Sequence, residues 1–143
     1  RPGKANLAAS SFFSGIIREP LNGMEAVLPV EDTVRHWHAS PRSAAGFLVH
    51  AGTLDTERLD GRRALNLPGV SCTVAEQIEA LRDVAGNNVV ALIKPQPDAA
   101  IAKIVAGWPR DFAPERAMAL GFEAEKTFRE ILDVYVAEDL EQK

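Results

Sequence analysis

Residues 34–43, VRHWHASPRS, hold two of the three histidines of the chain together with a tryptophan and two arginines. On a strand, period-two geometry puts His36 and His38 on one face and Arg35 and Trp37 on the other. The histidine face carries two imidazoles at a spacing that suits a bidentate metal site or a general acid or base, with Glu31, Asp32 and His50 as further donors. No spacing in the chain matches a metal signature, so no metal is assigned and the histidines are expected in a polar or interface setting. The other face sets a guanidinium fork beside an aromatic plane, a pairing suited to gripping a carboxylate or phosphate. Its plainer alternative is Arg35 paired with a surface acid and Trp37 filling the core. Gly69-Val-Ser-Cys-Thr73 lacks the closing glycine of a nucleophile elbow, so Ser71 and Thr73 are expected as loop and cap residues and Cys72 as inert packing. No G-x-G-x-x-G or G-x-x-x-x-G-K-[ST] run is present, and neither a catalytic nor a cofactor-binding residue is assigned.

The elements that must hold these side chains alternate between strand and helix. Phe12, Phe13, Ile16 and Ile17 share a stripe that predicts a helix over 8–19, ended by Pro20 and Gly23, with Ser10 and Ser11 on its polar side. Residues 25–30 and 34–40 read as two strands joined in a hairpin. Ser40 stands as an N-cap before Pro41, and Ala44, Ala45, Phe47, Leu48, Ala51 and Leu54 form the expected buried stripe of the next helix. Residues 63–68 read as a strand. Thr73 and Glu76 make a capping box for a helix closed by Gly86, followed by a strand over 89–94. Asp98 caps a helix through Val105, 114–120 forms a short one, and Thr127 with Glu130 opens a last helix with Phe128, Ile131, Leu132, Tyr135 and Val136 inward. The pattern is mixed α/β without repeats or linkers.

Composition narrows the function. A chain of 143 residues that is 46% apolar suits one domain spanning 1–143. The net charge of −4, with scattered lysine and arginine, gives no footprint for nucleic acid or a membrane surface. A single cysteine, Cys72, excludes an internal disulfide and fits a reducing, cytoplasmic setting. No apolar run approaches the roughly 18 residues of a membrane span. The chain opens on Arg1-Pro-Gly without an initiator methionine, so an upstream part is expected.

Taken in order, RPG with its helix, VRHWHASPRSAAGFLVHA, RALNLPGVSCTVAEQIEALRDVAG and WPRDFAPERAMALGFEAEKTFREILDVYV resemble the C-terminal part of the NAD-dependent epimerase/dehydratase family, the extended short-chain dehydrogenases. Those proteins run V-R-D-Y-[IV]-H-V into a helix, then a short strand and a T-[ST]-x-x-E helix, and finally a helix pair around K-A-x-x-x-L-G-[FW]. The resemblance implies a small mixed α/β substrate-binding domain, several helices on short strands, that normally completes a Rossmann-type domain absent from this chain. It implies NAD held by that N-terminal domain, and a Tyr-x-x-x-Lys pair that is also absent here, since Tyr135 is followed four places on by Asp139. It further implies that Arg35 takes the place of the family's substrate-gripping arginine, with Asn6, Ser10, Trp37 and Lys94 as further substrate-binding candidates. His36 and Ala39 replace the family's Asp and His, which favours a branch acting on a small four-carbon sugar acid over a nucleotide-sugar epimerase or dehydratase. A non-catalytic binding module is the rival from another class. Strand edges left open by a missing half would invite association, so a homo-oligomer is also expected.

Overall fold

The computed structural model describes residues 8–140. Among them, α1 (Ser11–Leu21), β1 (Ala26–Leu28), β2 (Arg35–His38), α2 (Pro41–Thr53), β3 (Val70–Thr73), α3 (Val74–Ala85), α4 (Asn87–Val90), β4 (Ile93–Pro95), α5 (Ala99–Ala106), α6 (Glu115–Ala119) and α7 (Phe128–Tyr135) follow one another. A 3-10 turn at Thr56–Leu59 follows α2, and a π turn at Val136–Leu140 follows α7. The class is mixed α/β, as the sequence led us to expect. Asn6 lies outside the described residues.

Two small sheets organise the chain. β1 pairs in parallel with β4, and β2 pairs antiparallel with β3. The expected β1–β2 hairpin does not form, because the linking segment is used elsewhere. The carbonyls of Asp32 and Val34 accept from the amides of Ala75 and Val74, satisfying two of the donors that the start of α3 leaves open. The strand expected at 63–68 is instead an extended run without a ladder, whose Leu65 and Leu67 pack in a second apolar cluster with Phe47, Leu59 and Phe122. The true strand is Val70–Thr73, with Val70 and Cys72 buried and Ser71 and Thr73 outward. The strand expected at 89–94 is shorter as well, since Val89 and Val90 close α4.

The main core lies between α1, α3, α7 and the inner faces of both sheets, with Ile16, Val74 and Leu81 fully buried. Pro20 falls inside the last turn of α1 rather than ending it, and the chain turns away at Gly23, whose φ of 74° suits a residue without Cβ. Thr73 and Glu76 form the expected reciprocal capping box. At α7 the box is shifted: Thr127 accepts from Glu130, but Glu130 reaches the amide of Lys126.

The stripe expected to bury α2 is mostly exposed. Phe47 is its one buried residue, while Leu48 is 77% and Val49 71% exposed. Among the described residues no helix is long and apolar enough to cross a membrane.

Candidate functional site

The alternation of β2 decides what each of its side chains meets. Its register opposes Arg35 to Thr73 and Trp37 to Ser71, while His36 and His38 oppose Cys72 and Val70. The two polar residues of β3 therefore lie with Arg35 and Trp37, and its two buried residues lie with the histidines.

On the first face, Arg35 Nη1 donates to the Ser71 carbonyl at 2.9 Å, and Nη2 pairs with Glu76 Oε2 at 3.2 Å. Its side chain is 38% exposed. The Glu76 carboxyl is held below its ordinary range, first by the Thr73 backbone N–H and then by the neighbouring Arg35. Trp37 donates from its indole nitrogen to the Leu67 carbonyl at 3.3 Å and meets Phe112 edge to face at 5.5 Å. The indole presses on the backbone at Gly69, where a Cβ would come within 2.6 Å of Trp37 Nε1 and 2.5 Å of the His38 carbonyl. Ser71 Oγ donates to the Arg110 carbonyl at 2.8 Å, so residues 108–112 strap this edge of the ribbon. The result is a partly exposed guanidinium paired with a carboxylate, on the strand face that also carries Trp37. Exposed ion pairs contribute only about 0–1 kcal/mol, and the Glu76 Oε2 that meets Arg35 is also held by the Thr73 amide, so the carboxylate stays beside the guanidinium.

On the second face the histidines, expected in a polar or interface setting, keep polar partners within a largely aromatic surround, His36 Nδ1 lying 3.2 Å from the Pro109 carbonyl. His36 stacks on Phe13 at 4.9 Å and lies 5.5 Å from Trp108, and His38 meets Phe13 and Phe128 edge to face. Strand periodicity aims both rings at α1 and α7, and the surroundings are aromatic. Burial, with His36 adding, pushes the His38 pKa down to about 4. His38 is therefore neutral and accepts at Nε2 from the fully buried Gln77 at 3.1 Å. The histidines line a cleft of about 460 Å³ together with Phe13, Phe128, Tyr135 and the hydroxyl of Ser10. Tyr135, expected inward, is half-buried there and accepts from Asn22 Nδ2. Among the described residues no group of three His, Cys, Asp or Glu side chains could hold a metal ion.

The register puts Arg35 and Trp37 on one face of β2, while Ser10 lies at the cleft on the histidine side. Lys94 stands on the other sheet, bonded to the Ala91 carbonyl and 3.5 Å from Glu25. Ser71, expected as a loop residue, is instead a strand residue that touches Arg35 and the Arg110 carbonyl, while nothing in the sequence marks Phe112 or the strap at 108–112. Glu76 reads only as a cap, because nothing local in sequence reveals a partner 41 positions from Arg35.

A dinucleotide has no fitting seat among the described residues. Pyrophosphate needs a glycine-rich turn leading from a strand into open helix amides. Here the starts of α2 and α3, which follow strands directly, are taken by Ser40 with Glu125 and by Thr73 with Glu76. Those carboxylates would repel a phosphate.

No protein-family model matches the chain. It is 49% identical over 95% of its length to a D-erythronate dehydrogenase of Cupriavidus necator and 39% identical over 98% to one of Haemophilus influenzae. It spans 42% and 44% of the length of those relatives. A crystal structure described as a nucleoside-diphosphate-sugar epimerase from Agrobacterium tumefaciens matches all of this chain at 55% identity and a TM-score of 0.95, over 42% of its own length.

Proposed function

Since this chain belongs to the epimerase/dehydratase family and carries its C-terminal part, we propose that it is the substrate-binding side of an NAD-dependent dehydrogenase of a small sugar acid. In this reading the substrate resembles D-erythronate, and a secondary hydroxyl is oxidised by hydride transfer to NAD. The cofactor and the proton-transfer residues come from an N-terminal Rossmann-type domain of the same polypeptide. The likeness to D-erythronate dehydrogenases over nearly the whole chain carries the proposal.

What this chain contributes is recognition. Arg35 takes the substrate carboxylate on guanidinium donors that Glu76 leaves free. Trp37, with Phe112 edge to face against it, supplies an aromatic surface on the same strand face as Arg35. A charge-assisted hydrogen bond of this kind contributes about 1.5–3 kcal/mol, or roughly 10- to 100-fold in affinity. Ser10 lies at the cleft on the histidine side of β2, away from Arg35, and is left without a substrate role in this reading.

A second reading, a nucleotide-sugar epimerase in which Arg35 holds a diphosphate, is favoured by the description of the Agrobacterium structure. The two readings separate on one assay of the polypeptide at the length of its relatives. Reduction of NAD is expected with four-carbon sugar acids and not with UDP-sugars. Turnover of UDP-sugars alone would replace the first reading with the second.

A further inference from the structure

We infer that Arg110 is a second cationic arm beside Arg35 and gives this strand face its preference for an acid over a neutral sugar. The inference rests on the reading that the face receives the substrate carboxylate.

Charge balance creates the need. Arg35 already stands 3.2 Å from Glu76. That carboxylate is fixed by the Thr73 amide at 2.6 Å, and the same bond holds its pKa below the ordinary range, so it stays ionised at neutral pH. Together the pair offers directed donors but no net charge. A carboxylate leaving water needs a compensating cation as well as hydrogen bonds, and Glu76 would repel it. A further positive group is therefore required on this face.

Arg110 stands where that group is needed. Ser71 joins the two arginines: its carbonyl accepts from Arg35 Nη1 at 2.9 Å, and its hydroxyl donates to the Arg110 carbonyl at 2.8 Å. The backbone of Arg110 thus lies one serine away from the Arg35 guanidinium. Its neighbours decide which side it takes. Residues 109–114 form neither helix nor ladder, and in an extended run alternate residues share a side. Phe112 meets Trp37 edge to face, so Arg110, two places before it, falls on the Trp37 side. Asp111 falls on the other, where its carboxylate accepts from the Phe112 amide at 2.9 Å.

The backbone here is fixed while the side chain is unspent. Pro109, whose carbonyl lies 3.2 Å from His36 Nδ1, and Phe112 hold the segment on both flanks of Arg110. Arg110 itself is exposed, and among the described residues its side chain meets no carboxylate and makes no hydrogen bond. Arg18, Arg42, Arg82 and Arg129, by contrast, each pair with an acid. A free guanidinium next to a neutralised one is a fork left open for a carboxylate.

Steady-state kinetics of the full-length polypeptide with D-erythronate tests this. Arg110→Gln is expected to raise KM for the acid about tenfold with kcat changed less than about twofold, and Arg110→Lys, which keeps the charge, to recover most of the loss. Glu76→Gln keeps an acceptor for the Thr73 amide and frees the Arg35 charge. In the Arg110→Gln background it is expected to lower KM again. An unchanged KM in Arg110→Gln would overturn the inference. Equal losses in Arg110→Gln and Arg110→Lys would do so too, since the charge would then not be what acts. If Arg35→Ala raises KM while Arg110→Gln does not, the substrate reading stands and only Arg110 falls. If the wild-type polypeptide does not oxidise the acid, the reading fails at its premise and takes the inference with it.

Discussion

His38 shows how a residue's meaning is set by the face it points to. Period two foretold that it would share a face with His36 and oppose Arg35 and Trp37, and the register bears this out. Which face would be polar was not legible, because that depends on α1 and α7, distant in sequence. The aromatic surroundings make His38 a neutral hydrogen-bond acceptor with its pKa pushed down to about 4 from the ordinary 6.5. Between those values the unfolded chain binds more protons than the folded one. Stability therefore rises with pH across that window and falls as pH drops from about 6.5 toward about 4, by up to about 3 kcal/mol. Replacing His38 with Gln, which keeps an acceptor for Gln77 without a titratable ring, is expected to flatten this limb in urea denaturation between pH 7 and 4. An unchanged pH profile would show that His38 does not carry it.

At the scale of elements, the caps were the most legible features, since each is written within four residues. Ser40, Thr73, Asp98 and Thr127 all accept from the amides expected of them. Strands were less legible. Gly69 and the small polar residues after it read as a loop, yet Gly69 is there because the Trp37 indole leaves no room for a Cβ, and the strand begins one residue later. The hairpin failed for a similar reason: the use of the Asp32 and Val34 carbonyls by α3 is a tertiary fact. The N-terminus of α2 carries a further consequence. Burial pushes the Glu125 carboxyl up, but hydrogen bonds from Ser40 and Ser43 outweigh it and leave the group below its usual range. The stabilisation it gives is present above the ordinary carboxylate range and is lost as pH falls through the lowered value. Ser40→Ala removes both the cap and a partner of Glu125. It is expected to cost about 1–2 kcal/mol at neutral pH, read as a lower urea midpoint, with a smaller difference from wild type in strong acid.

At the scale of the whole molecule, the described residues form two short sheets and leave an outward apolar arc on α2. The mixed α/β class was legible from alternating periods, and the family from the order of loosely defined segments. The exposure of α2 was not, because an apolar stripe in sequence reads the same whether it faces the core or solvent. The central claim is that Arg35 anchors an acidic substrate while hydride chemistry belongs to another part of the polypeptide. Steady-state kinetics of Arg35→Ala in the full-length protein, with D-erythronate varied and NAD binding measured alongside, tests this most directly. The account predicts a rise in KM for the acid of roughly 10- to 100-fold, with NAD affinity unchanged. An unaltered KM for the acid would contradict it.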